Sequence, residues 1–127
     1  LSALAAGSCT ATRVSAGSSQ IYKTTFSCTG DASTGAIPST ASPYIFGWVF
    51  MQLVTYDSPA PTNGFSLTLS DANSIDVMGG GLATLTTSAP QQFKISRYVH
   101  GPLTLAATGQ SVAGAKFTLI LYDYIEK

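Results

Sequence analysis

From Phe65 to Ser70 the chain alternates without interruption: Phe65, Leu67 and Leu69 are apolar, while Ser66, Thr68 and Ser70 carry hydroxyls. A period of two places one set on each face of an extended strand, and a helix cannot satisfy it. Asp71-Ala72-Asn73-Ser74 follows, with short polar side chains that bond their own backbone and turn the chain. Ile75-Asp76-Val77-Met78 is a brief apolar segment, ended by Gly79-Gly80-Gly81. Three glycines together permit positive φ and close backbone approach at an entropic cost. The stretch from Gly64 to Thr87 therefore reads as part of an all-β domain.

The rest of the chain carries the same signature. Tyr22, Thr24, Phe26 and Cys28 share one face of a strand, Lys23, Thr25 and Ser27 the other, and Gly17-Ser18-Ser19 is the turn before them. If Ser18 and Ser19 form a two-residue loop, Cys9 lies directly opposite Cys28, which brings a disulfide within reach. The alternative is two reduced thiols packed as small hydrophobes. It is the favoured reading, because the register is inferred and no other feature of the sequence asks for an oxidising compartment. Residues 30–43 and 57–64 are loops rich in Gly, Pro and Ser/Thr.

Between those loops lies Tyr44 to Tyr56, YIFGWVFMQLVTY, apolar at both parities. It reads as a strand covered on both faces, or as one with a core face and a subunit-interface face. Gly47 and the aromatic and β-branched content argue against a helix. Trp48 is expected in the core. Further strands are expected over Leu82 to Thr86, Gln91 to Val99, Leu103 to Ala107 and Lys116 to Tyr124. His100-Gly101-Pro102 is expected as a turn. About eight short strands at roughly ten-residue spacing predict an all-β fold, an antiparallel β-sandwich or a jelly-roll or barrel. The expected organisation is an N-terminal arm at 1–8 and one β domain over 9–127.

Composition narrows the partners. The 127 residues include six Lys/Arg and six Asp/Glu, 9% charged with zero net charge, against roughly 25% in an ordinary domain. Ser and Thr fill the gap with 32 residues. Such a surface lacks the clustered Lys/Arg that nucleic acid requires and the polybasic segment that anionic lipid requires. It has little colloidal repulsion and suits contact with other protein. The longest apolar run spans 11 residues, Tyr44 to Val54, against about 20 for a membrane-crossing helix. The N-terminal LSALAAGSC has no basic segment before its small apolar residues, and reads as a remainder of processing or a weak echo of an export signal.

Reactive constellations are sparse, and no cofactor is expected. His100, the single histidine, is read as an exposed turn residue rather than a general base. No G-x-S-x-G nucleophile motif is present, and two Cys with one His fall short of a zinc set. Asp71, Asn73 and Asp76 resemble the start of a calcium loop, but Ile75, Asp76 and Leu82 stand where its acid or amide, Gly and Glu belong, so an Asx-type turn is the better reading. Gly81 is followed by Leu82, not by the Lys of a phosphate loop. A carboxylate pair for glycoside hydrolysis is a remote reading among six acids. Six tyrosines could build a platform for sugar or protein, although strand tyrosines commonly sit half-buried with the hydroxyl outward.

One combination of motifs points to a family. SLTLSDANSIDVMGGG, an intervening strand, then HGPLTLAATGQSVAGAKFTLILY resembles small structural proteins of tailed bacteriophages. The matching positions include Leu67, Leu69, Asp71, Ile75, Asp76, Val77, Gly79 and Gly80, then Gly101, Pro102, Leu103, Leu105, Gly109, Gly114, Thr118, Leu119 and Tyr122. The resemblance covers roughly the C-terminal half. It implies a non-enzymatic virion component, assembled in the host cytoplasm, that decorates or cements the capsid as a trimer or dimer. Its partners would be the major capsid protein or other virion proteins. Tyr44, Phe46, Trp48, Phe50, Tyr98 and Tyr122 are then the candidate interface residues. A tail, neck or head-fibre component is one alternative. A secreted carbohydrate-binding or adhesin-like β-sandwich with an oxidised Cys9–Cys28 pair is another.

Overall fold

A computed structural model of the chain describes residues 6–17 and 20–125. Most of the expected arm at 1–8, and the expected turn residues Ser18 and Ser19, lie outside the described residues, while Ser8 already belongs to a strand. Nine strands follow in order: β1 (Ser8–Ser15), β2 (Ile21–Thr29), β3 (Thr40–Ala41), β4 (Ile45–Tyr56), β5 (Ser66–Ser70), β6 (Gln91–Phe93), β7 (Arg97–Gly101), β8 (Thr104–Thr108) and β9 (Lys116–Tyr124). They make two antiparallel sheets. One has six strands in the order β1-β2-β9-β4-β6, with β7 also pairing β4, and the other has three in the order β3-β8-β5. The fold is all-β, with no helix among the described residues, and is a sandwich rather than a closed barrel.

The core lies between the sheets, supplied by the alternation visible in the sequence. Phe65, Leu67 and Leu69 are buried from one side, and Phe117, Leu119 and Leu121 from the other. Each such side chain is worth roughly 1.5–3 kcal/mol on burial. The expected β1–β2 register is the one observed, with Cys9 opposite Cys28. Contrary to the favoured reduced-thiol reading, the two sulfurs are bonded at 2.06 Å. Directly opposed residues in an antiparallel pair bring their Cβ atoms within bonding reach, so the hairpin register itself places the bridge.

Two expected strands differ. Leu82 to Thr86 is irregular, with Thr84 at φ 55°. Its buried residues are Leu82 and Leu85, three apart and so off a period of two. The segment instead runs along β5: Leu67 N donates to Leu82 O at 2.9 Å, and Leu85 N to Phe65 O at 2.7 Å. It thereby covers the outer edge of β5, a common way of blunting an edge strand. Gln91 to Val99 is not one strand but two, β6 and β7, broken around Ile95. The cause is Gln52 on β4, fully buried, whose amide donates to Ile95 O at 2.8 Å and accepts from Ile95 N at 3.0 Å. A side-chain amide thus takes the ladder position that a β4 peptide group would occupy. His100 falls within β7, not in a turn.

Side chains hold the loops. Gln110 accepts from Thr62 N and Val112 N at 2.9 and 3.0 Å and donates to Gly35 O at 2.8 Å, joining three loops. Asp31 accepts from Ser33 N and Thr34 N, and those backbone bonds hold its pKa down to about 2. Asp71 accepts from Asn73 N at 2.8 Å and Ile75 N at 3.1 Å, the Asx turn expected there. Asp76 uses both oxygens, one on Leu69 N and Met78 N and the other on Gly80 N. That caps the glycine turn, where Gly79 and Gly80 adopt positive φ.

Candidate functional site

The strand from Ile45 to Tyr56 presents two different apolar faces. Ile45, Val49 and Val54 are fully buried toward the small sheet. Phe46 and Trp48 point outward from the six-stranded sheet and are exposed. Trp48, expected in the core, is 42% exposed. Its parity from Ile45 puts it on the opposite face, and no layer of the described chain covers that face. Gly47 between them has φ 152°, and a Cβ there would run into the Tyr124 carbonyl oxygen, so the β4–β9 approach requires glycine.

All six candidate interface residues meet on this outer face. Tyr44 packs edge-on against His100 at 5.4 Å between ring centroids, and Phe46 packs against the same ring at 4.9 Å. Tyr98 lies 6.4 Å from Phe46 and 5.6 Å from Trp48, again with tilted or perpendicular planes. Phe50 lies 6.5 Å from Tyr122 on the neighbouring β9. The β4–β9 register shifts between Val49 and Met51, a bulge that turns Met51 toward Tyr122. Edge-to-face pairs of this kind are worth about 0.5–1.5 kcal/mol beyond burial and fix the ring orientations.

Tyr124, paired with Trp48, and His100 complete the patch and were missed as members. Tyr124 shares the parity of Tyr122 in the last alternating run, a signal readable in the sequence. The six tyrosines do not act together. Tyr44, Tyr98, Tyr122 and Tyr124 face outward, whereas Tyr22 and Tyr56 belong to the inner side. There, Arg13 stacks on the Tyr22 ring at 4.2 Å. Tyr56 donates to Gln91 Oε1 at 3.0 Å, and burial pushes its hydroxyl up to about 12.

Chemically, the patch offers rings, a thioether and an imidazole, with no carboxylate on this face of the described strands. Away from it, toward β1 and β2, the same face turns hydroxyl-rich through Thr10, Thr12, Thr25, Ser27 and Thr118. An open cleft of about 260 Å³, lined by Tyr56, Asp57, Ser58 and Thr87 among others, sits elsewhere and holds one carboxylate and no His, Lys or Arg. Among the described residues no group of three or more His, Cys, Asp or Glu is placed to hold a metal ion. Among the described residues no helix is long and apolar enough to cross a membrane. Compared with protein-family models, curated proteins and solved structures, the chain matches none.

Proposed function

We propose that this chain is a non-enzymatic structural protein of a virion, a decoration or cement protein that binds between capsid subunits of a tailed-phage head. The observation that supports it best is the aromatic face of the six-stranded sheet: Tyr44, Phe46, Tyr98 and Trp48 are linked through ring contacts that include His100 and are exposed, and the half-buried pair Phe50 and Tyr122 lies on the same face. Tyr, Trp, Phe and Met are the residues enriched in protein interfaces, and charged residues are depleted in their cores. The likeness of the C-terminal half to phage structural proteins supplies the partner, the major capsid protein or another virion protein. The Cys9–Cys28 bridge agrees with a virion surface, one of the places where disulfides persist.

That bridge also favours a second reading, a secreted carbohydrate-binding sandwich using the same rings. Co-sedimentation with undecorated heads of its own phage separates the two. Pelleting that saturates at a fixed ratio to capsid subunits is the expected result. A protein that stays in the supernatant and binds immobilised glycans would overturn the virion reading.

A further inference from the structure

We propose that the free edge of β1 is a second docking site, which takes an extended, uncharged segment of a partner polypeptide as an added strand of the six-stranded sheet. It adds a contact to the docking reading of the aromatic face and is tested apart from it.

Among the described residues, every other sheet edge is blunted against an added strand in some way. β3 is two residues long. The outer side of β5 is taken by Leu82 and Leu85. The edge formed by β6 and β7 is broken around Ile95 by the Gln52 amide. β1 has none of these defences. It runs for 8 residues, pairs with β2 at every position without a bulge, and contains no Pro, Lys, Asp or Glu. Its one charge, Arg13, turns inward, where a charge ordinarily deters an added strand, but it is already paired with Asp123.

The register fixes which groups the edge presents. Cys9 and Cys28 oppose each other with Cα atoms 4.1 Å apart, the close spacing of a pair that exchanges no backbone hydrogen bonds. Ala16, in the same register, donates its N–H to Ile21 O at 2.8 Å. The even-numbered residues of β1 therefore bond to β2, and the N–H and C=O groups of Cys9, Ala11 and Arg13 point away from it. Among the described residues none of those groups has a hydrogen-bond partner. An extended backbone carries the matching row of donors and acceptors, repeating about every 6.8 Å along the strand.

Side chains narrow the occupant. On the inner side, Cys9, Ala11 and Ile37 are only partly buried against the core, so apolar side chains on an added strand complete their cover. On the outer side, Thr10, Thr12 and Val14 are exposed. With Arg13 already paired, no β1 side chain offers a charge to a charged segment. The segment that fits therefore alternates apolar residues with Ser or Thr. Main-chain bonds give such strand addition its affinity, and the alternate side chains give it selectivity. The cross-strand row Thr12, Thr25, Ile120 and Leu53 runs from this edge to β4, so a partner seated on the aromatic face has a route along the sheet for such a segment.

The test is amide hydrogen exchange read by NMR on the intact, oxidised chain, with an end-blocked peptide of alternating Val and Thr as the probe. In the free protein the Ala11 and Arg13 amides are expected to exchange freely, while those of Thr10 and Thr12 are protected by β2. Adding the peptide is expected to slow exchange at Ala11 and Arg13 by about tenfold. Ala11→Pro removes an N–H that serves no bond to β2 and sets a ring on the open edge. It is expected to keep the circular dichroism spectrum and to abolish the effect of the peptide at Arg13. A peptide that leaves the wild-type amides unchanged overturns the proposal with no variant needed, as does a peptide effect untouched by Ala11→Pro. Protection of Ala11 in dilute protein alone also overturns it. So does protection that grows with protein concentration in the absence of peptide, which gives the edge to a second copy. Heads play no part in this assay, so its failure leaves the capsid reading standing, and a protein that ignores heads leaves the edge to be decided by the peptide.

Discussion

The Arg13→Met variant is expected to lose about 3 kcal/mol of folding stability at neutral pH, and the loss shrinks as the pH falls. Arg13 on β1 donates to Asp123 on β9 at 2.6 Å, with the two side chains 14% and 0% exposed. Among the described residues, Arg13 Nε, Thr24 Oγ1 and Asp123 Oδ1 are buried without a hydrogen-bond partner. The pair is therefore incompletely compensated, and removing the guanidinium strands a carboxylate in a dry site. Burial already pushes the Asp123 pKa above its ordinary 3.8, with Arg13 pulling the other way. Without Arg13 the rise is larger.

The sign follows from proton binding. A carboxyl whose native pKa is raised holds its proton more tightly folded than unfolded, so its contribution is fully present below 3.8 and fades as pH rises through the native value. The variant's deficit is thus smallest in acid and grows toward neutrality. Urea titrations at several pH values measure it, and a deficit independent of pH contradicts this account. Replacing both partners, Arg13→Met with Asp123→Leu, is expected to recover most of the loss, because an apolar pair of similar volume removes the desolvation cost altogether.

Reducing the Cys9–Cys28 bridge is expected to cost about 3 kcal/mol, from the unfolded-chain entropy freed when a loop with a sequence separation of 19 is opened. The corresponding fall in Tm is on the order of 10 °C. The bridge ties the edge strand β1 to β2, and β1 also brings Arg13 to Asp123, so loosening it weakens both. Thermal unfolding with and without dithiothreitol measures the effect. Equal Tm values would mean that the bridge adds nothing to the pairing that already holds the hairpin.

Much of the frame was legible in the residues, where a single face decides the pattern. Phe65, Leu67 and Leu69, and Phe117, Leu119 and Leu121, alternate with polar partners and are buried as the alternation demands. What misled was of three kinds. In Tyr44 to Tyr56 both parities are apolar, so nothing local says which one faces the core, and Trp48 went to the other side. At Leu82 to Thr86 the segment is organised by hydrogen bonds to β5, not by its own period. Between Gln91 and Gly101 the break comes from a buried amide that is distant in sequence. Asp123 shares the parity of Leu119 and Leu121, a warning of an acid on a core face. Its partner Arg13 lies 110 positions away, beyond any local pattern.

The candidate interface residues were named from aromatic content on two strands and a terminal run. They share a face because β4 is flanked by β7 and β9. Pairing between strands far apart in sequence did what composition could not.

If protein covers the aromatic face in use, as proposed, its rings leave water on binding. Trp48, the only tryptophan, stands in the row and reports on it directly. Iodide quenching of its fluorescence, followed as protein concentration rises, is the measurement to make. Strong quenching is expected in dilute protein, with progressive shielding and a blue-shifted emission on association. Quenching that stays constant, at every concentration and on the phage head alike, would contradict it.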